Sequence, residues 1–82
     1  MTLNLSKASL QQQQALDDAV YAYLDWRAEC TAVWHAYRRW TTAAGTDAAL
    51  TFGAYMAALD REETAANVYA RLMSRVDDVE WV

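Results

Sequence analysis

Apolar side chains recur along this chain at alternating steps of three and four residues, once on each side of Gly45. Leu16, Ala19, Tyr23, Trp26, Cys30, Val33, Tyr37, Trp40 and Ala44 form the first series. Ala48, Phe52, Tyr55, Leu59, Glu62, Ala66, Tyr69, Met73 and Val76 form the second, with Glu62 as its single polar member. A heptad repeat holds one stripe of side chains on one face of a helix, so the pattern predicts two helices packed stripe to stripe.

The boundaries follow from local signals. Ser9-Leu-Gln-Gln12 matches a capping box, in which the serine hydroxyl accepts from the Gln12 amide while the glutamine reaches back. Gly45 suits the left-handed conformation that closes a helix, and Thr46 or Asp47 can cap the next one. A single helical-hairpin domain is therefore expected over 9–78, with helix one over about 9–44, a turn at 45–47 and helix two over about 48–77. Residues 1–8 are expected to be a flexible N-terminal segment and 79–82 a C-terminal tail.

So short a turn requires the helices to run antiparallel. Residues whose numbers sum to about 92 should then face each other, placing Trp40 by Phe52, Tyr37 by Tyr55, Val33 by Leu59 and Trp26 by Ala66. Each heptad arm would extend about 43 Å at a rise of about 1.5 Å per residue, giving a slender rod. A second arrangement competes. Asp60-Arg-Glu-Glu63 is also a capping-box match, and a break near Asp60 would produce three helices, with Ala65, Val68, Tyr69, Leu72 and Val76 on a separate apolar face. The absence of proline, and of glycine after Gly53, favours the continuous helix.

Several large apolar residues fall outside the stripe. Val20, Leu24 and Trp34 lie toward the side of helix one that carries Arg27 and Arg38, and Met56 projects from helix two toward that same flank, as do Ala49 and Glu63. Val68 and Leu72 project toward the opposite flank, near Asp18, Asp25 and Glu29. Both sides of a lone hairpin would thus expose apolar groups. Val20, Leu24, Trp34, Met56, Val68 and Leu72 are accordingly the candidate interface residues, and dimerisation into a four-helix bundle would cover them. The alternative for Trp34 is that it merely lies over arginine side chains at the helix flank.

Composition sharpens this. At 82 residues a single domain buries a modest fraction of its surface, which favours a partner. Abundant alanine and the lack of proline indicate an all-α fold. A formal charge of -4, with Arg38 and Arg39 as the only adjacent basic pair, argues against nucleic acid. No apolar run approaches the roughly 20 residues of a membrane span, and the N-terminus lacks a secretory signal's apolar core. A cytoplasmic protein is expected, with leaderless secretion as the alternative.

Candidate chemistry is sparse. The chain has one cysteine, Cys30, and one histidine, His35, too few for a disulfide framework or a usual zinc set. Glu62 falls opposite Cys30 with Glu29 on the adjoining edge, so a dimer could gather carboxylates as metal-binding bundles do. Those sites use Glu-x-x-His pairs, however, and His35 projects from the other face beside Asp17 and Arg39. The plainer expectation has Glu62 reaching past the seam to water and Glu63 pairing with Arg27 across the hairpin. Cys30 reads as a small buried apolar residue, without a histidine to activate a thiolate. Trp26, Trp34, Trp40, Tyr23, Tyr37 and Tyr55 read as core rather than as the lining of a cofactor cavity. No catalytic, cofactor-binding or metal-binding residues are assigned, and no small-molecule substrate is expected.

The two-helix layout is similar to the small secreted hairpins of the WXG100 family. At the turn, where that family carries Trp-x-Gly, this chain reads Trp40-Thr-Thr-Ala-Ala-Gly45. The family's Tyr-x-x-x-Asp/Glu follows its second helix, whereas here Tyr69 begins Tyr-Ala-Arg-Leu-Met73 and the matching spacing occurs at Tyr21 to Asp25 in helix one. The resemblance is one of architecture and transfers no residue roles. The expected function is a non-catalytic interaction or scaffold module that forms a homodimer or binds a helical protein. A secreted or phage-type effector that binds a host protein and a carboxylate metal-binding bundle are the alternatives.

Overall fold

With no proline to interrupt the backbone ladder and alanine spread through both arms, either side of Gly45 is free to stay helical over its whole length. The computed structural model describes the backbone of residues 2–78 and the side chains of residues 10–78. Two helices occupy that span: α1, Thr2–Thr42, and α2, Asp47–Asp78. They pack side by side as a hairpin, a rod measuring 69 × 14 × 12 Å. The expected tail at 79–82 lies outside the described residues.

The helix ends differ from expectation, while the second arm follows the favoured continuous helix. α1 starts at Thr2, so the segment before Ser9 is helical and the Ser9 box lies inside the helix. α1 stops at Thr42 instead of Ala44, and α2 opens at Asp47. The second arm does not break at Asp60: α2 is continuous, and the Thr64 hydroxyl donates to the Asp60 carbonyl one turn back at 3.0 Å. A mid-chain capping-box sequence is only permissive, and without a glycine or proline the uninterrupted ladder prevails. The arms are therefore unequal, at 41 and 32 residues.

The turn is built as the glycine suggests. Gly45 has φ of 63°, the left-handed region that a side chain would strain. Backbone bonds from Ala43 N–H to the Trp40 carbonyl and from Ala48 N–H to the Gly45 carbonyl, both 3.2 Å, close the two helix ends. Thr42 Oγ1 donates to the carbonyl of Arg38 at 2.9 Å, satisfying an acceptor of the last turn of α1. Asp47 in the first turn of α2 and Arg39 in the last turn of α1 carry the charges that complement each helix dipole.

The register agrees with the expectation over most of the rod. Trp40 meets Phe52 at 5.0 Å between ring centroids and Tyr37 meets Tyr55 at 5.7 Å. Tyr23 meets Tyr69 at 5.6 Å, and Cys30 Sγ lies 3.9 Å from Glu62 Oε1. Trp26 spans the Ala66 level: its indole N–H donates to Glu62 on one side and its ring stacks on Tyr69, 5.8 Å away, on the other. Glu62 and Tyr69 lie seven residues, about two turns, apart on α2, so the indole sits between them across the Ala66 level.

The seam itself is rotated from the expected stripe. Its most buried members are Ala15, Ala19, Ala22, Ala36, Ala58 and Val76, with Ala58 fully buried. A heptad series of buried and half-buried positions runs through 15, 19, 22, 26, 29, 33, 36 and 40 of α1 and 43 just beyond it, and through 48, 51, 55, 58, 62, 65, 69, 72 and 76 of α2, with 30, 32, 59, 66 and 68 half-buried beside it. Every second member of the expected series is displaced by one residue, and Leu16, Tyr23, Tyr37, Phe52 and Met73 move out to an edge where each stays exposed. The cause is steric. Alanines allow helices to approach closely, whereas bulky rings between the axes would hold them apart. The aromatic residues expected as core are thus core only in part: Trp26, Trp40 and Tyr55 are half-buried, while Tyr23, Trp34 and Tyr37 are exposed.

Candidate protein-protein interface

The rotation makes the two flanks of the hairpin unlike. On the first, Leu16, Val20 and Tyr23 of α1 line a groove of about 280 Å³ with Tyr69 and Met73 of α2. Farther toward the turn, Trp34 stacks on Tyr37 at 6.0 Å with an interplanar angle of 17°, and Tyr37 packs edge-on against Tyr55. Phe52 joins the same cluster through Trp40. This flank is apolar at both ends of its length. At its middle stand Arg27 on α1 and Glu63 on α2, both exposed.

The opposite flank carries the ion pairs, with the exposed Leu10 and Tyr21 beside Asp18 near its far end. Arg61 Nε contacts Glu29 Oε2 at 3.3 Å, and Arg75 contacts Asp18 at 3.8 Å, each pair bridging the two helices. Asp25, Glu29, Asp60, Arg61 and Thr64 line an open trough of about 480 Å³ there. Exposed pairs of this kind contribute about 0–1 kcal/mol each, but they mark a face suited to water. The expected pairing of Glu63 with Arg27 is not made; Glu29 and Arg61 form the cross-hairpin pair nearest that level instead. The rotation accounts for the difference, because it turns Arg27 and Glu63 outward and away from each other while it brings Glu29 and Arg61 to the seam's edge.

The six candidate interface residues divide accordingly. Val20, Trp34 and Met56 are exposed at 55%, 57% and 44%, and helical phase puts all three on the apolar flank. Leu24 is 56% exposed but lies two residues from both Ala22 and Trp26, so it points away from α2. Val68 is half-buried, and Leu72 packs against the cluster of Ala15, Ala19 and Val76. Leu72 is therefore partly buried against the core, which reduces the apolar surface expected on the second flank. The face legible from phase alone omits Leu16, Tyr23, Tyr37, Phe52 and Met73, which the heptad pattern places in the seam.

Trp34 is held by Tyr37 rather than laid over arginine. Stacking restricts the indole before any partner arrives, which lowers the entropy that binding must overcome.

The seam's polar cluster has a structural explanation. Trp26 Nε1 donates to Glu62 Oε1 at 2.8 Å, and the half-buried Cys30 thiol approaches the same oxygen at 3.9 Å. Glu62 thus turns into the hairpin toward Trp26, contrary to the expectation that it would reach past the seam to water. Cys30 is likewise half-buried beside a carboxylate rather than a fully buried apolar filler. Among the described residues, no three His, Cys, Asp or Glu side chains gather in a group that could hold a metal ion, and no helix is long and apolar enough to cross a membrane. No protein-family model, curated protein or solved structure matches this chain.

Proposed function

We propose that this protein is a non-catalytic protein-protein interaction module that self-associates through its apolar flank, two hairpins forming a four-helix bundle. The observation that carries the reading is the asymmetry of the rod: large apolar side chains collect on one flank while ion pairs occupy the other. Such a face is costly to leave in water, and a bundle with its second layer in place is the usual way for helical hairpins to cover it. From Leu16 to Tyr37 the flank extends about 32 Å, and two helices present about 20 Å of width, or roughly 600 Å² in projection. That approaches the roughly 800 Å² per partner typical of a stable complex.

The test is the concentration dependence of thermal unfolding. Association that favours the folded chain links stability to protein concentration, so Tm should rise by several degrees over a hundredfold concentration range. Trp34→Asp should abolish that rise, whereas Thr64→Asp on the ion-paired flank should preserve it. A Tm independent of concentration would overturn the proposal.

A further inference from the structure

We infer that the two hairpins pair with their turns at the same end, α1 of one copy lying against α2 of the other, and that Arg27 of each copy meets Glu63 of its partner. This rests on the self-association proposed above and adds its geometry. Arg27 and Glu63 are the charged pair at the middle of the apolar flank, both exposed, and among the described residues neither side chain takes part in an ion pair. Their numbers place them at nearly the same level of the rod, because the register pairs Cys30 with Glu62 and Tyr23 with Tyr69.

Only certain two-fold axes bring the two flanks face to face. An axis parallel to the rod keeps every residue at its level and sets α1 against the partner's α2, so Arg27 falls opposite Glu63 twice. The same operation places Trp34 near Met56 and Val20 near Met73, and it lays the ring of Tyr23 over Ala66 and Ala70, matching large groups with small or flexible ones. An axis across the rod at the middle of the flank sets α1 against α1 instead. Arg27 would then face its own copy, a like-charge contact on the axis with no compensation. The turn-together arrangement alone neutralises both charges while it buries the apolar ends.

Two readouts on the full chain test this. Arg27→Glu and Glu63→Arg should each weaken the dimer roughly tenfold or more in sedimentation, and the double variant Arg27→Glu/Glu63→Arg should restore it to within about threefold. Independently, a spin label on Thr46→Cys in a Cys30→Ala background reports where the turns lie. Neighbouring turns give a label separation under about 30 Å, since packed helices lie about 10 Å apart. Turns at opposite ends, about 19 residues from Arg27 on either side, give about 55 Å or more. A dimer with the long separation overturns the arrangement and leaves self-association standing. A short separation without recovery in the double variant overturns the Arg27–Glu63 contact. A wild-type chain that sediments as a monomer overturns both this inference and the proposal beneath it.

Discussion

Glu62 breaks an otherwise apolar stripe, and its environment explains why the hairpin tolerates it. The carboxylate accepts from the Trp26 indole at 2.8 Å and lies within reach of the Cys30 thiol at 3.9 Å, so a half-buried donor and a half-buried acceptor satisfy each other in the seam. Removing one partner should cost more than removing both. Trp26→Phe is expected to destabilise the hairpin by about 1–2 kcal/mol, and Glu62→Leu in that background should recover part of the loss, with a coupling of about 1 kcal/mol by chemical denaturation. Additive single effects would contradict the pairing. The two glycines offer a second contrast. A methyl group at Gly45 would meet nothing within 4 Å but would have to hold φ at 63°, while one at Gly53 would enter open space on an ordinary helix. Gly45→Ala should therefore destabilise by about 1 kcal/mol and Gly53→Ala should stabilise by about 0.5–1 kcal/mol, both read at one protein concentration.

At the scale of the helices, the seam shows what periodicity determines and where it stops. Trp26, Val33 and Trp40 of the expected stripe do lie in the seam, as do Tyr55, Glu62 and Tyr69, because either of two adjacent heptad frames contains them. The frames differ in their other members: Leu16, Tyr23 and Tyr37 in one, Ala15, Ala22 and Ala36 in the other. Counting alanine as apolar leaves both frames permissible, and weighting by hydrophobicity selects the one with larger residues. Close packing between helix axes selects the smaller. The choice is legible only when volume is read together with hydrophobicity, and Glu29 in the alanine frame obscures it further. The same shift explains why the apolar flank is only partly legible, since the heptad pattern places five of its residues in the interior and Leu72 on the surface. Ala58, at 0% exposure, gives the sharpest test of the frame. Ala58→Leu should destabilise by about 1–3 kcal/mol through overpacking, while Ala57→Leu, one residue away and exposed, should change stability by less than about 0.5 kcal/mol. Equal effects at the two positions would mean that the seam lies elsewhere.

For the molecule as a whole, thinness is the dominant constraint. A rod 14 × 12 Å across has no interior beyond the contact between its two helices, and among the described residues its buried core consists of five alanines and one valine. Little stabilisation comes from burying such small side chains, compared with about 1.5–3 kcal/mol for each fully buried large one. Many of the larger apolar groups, Leu16, Tyr23, Tyr37, Phe52 and Met73 among them, instead stand half-covered on one flank, and a second layer would complete their burial. Folding and association would then be linked, and substitutions on the apolar flank would weaken both. The central claim is that this flank closes on a second copy of the chain. Sedimentation equilibrium of the full-length protein at micromolar concentration tests it most directly: the account predicts a mass of twice 9.3 kDa, and a fully helical species holding at 9.3 kDa across that range would contradict it.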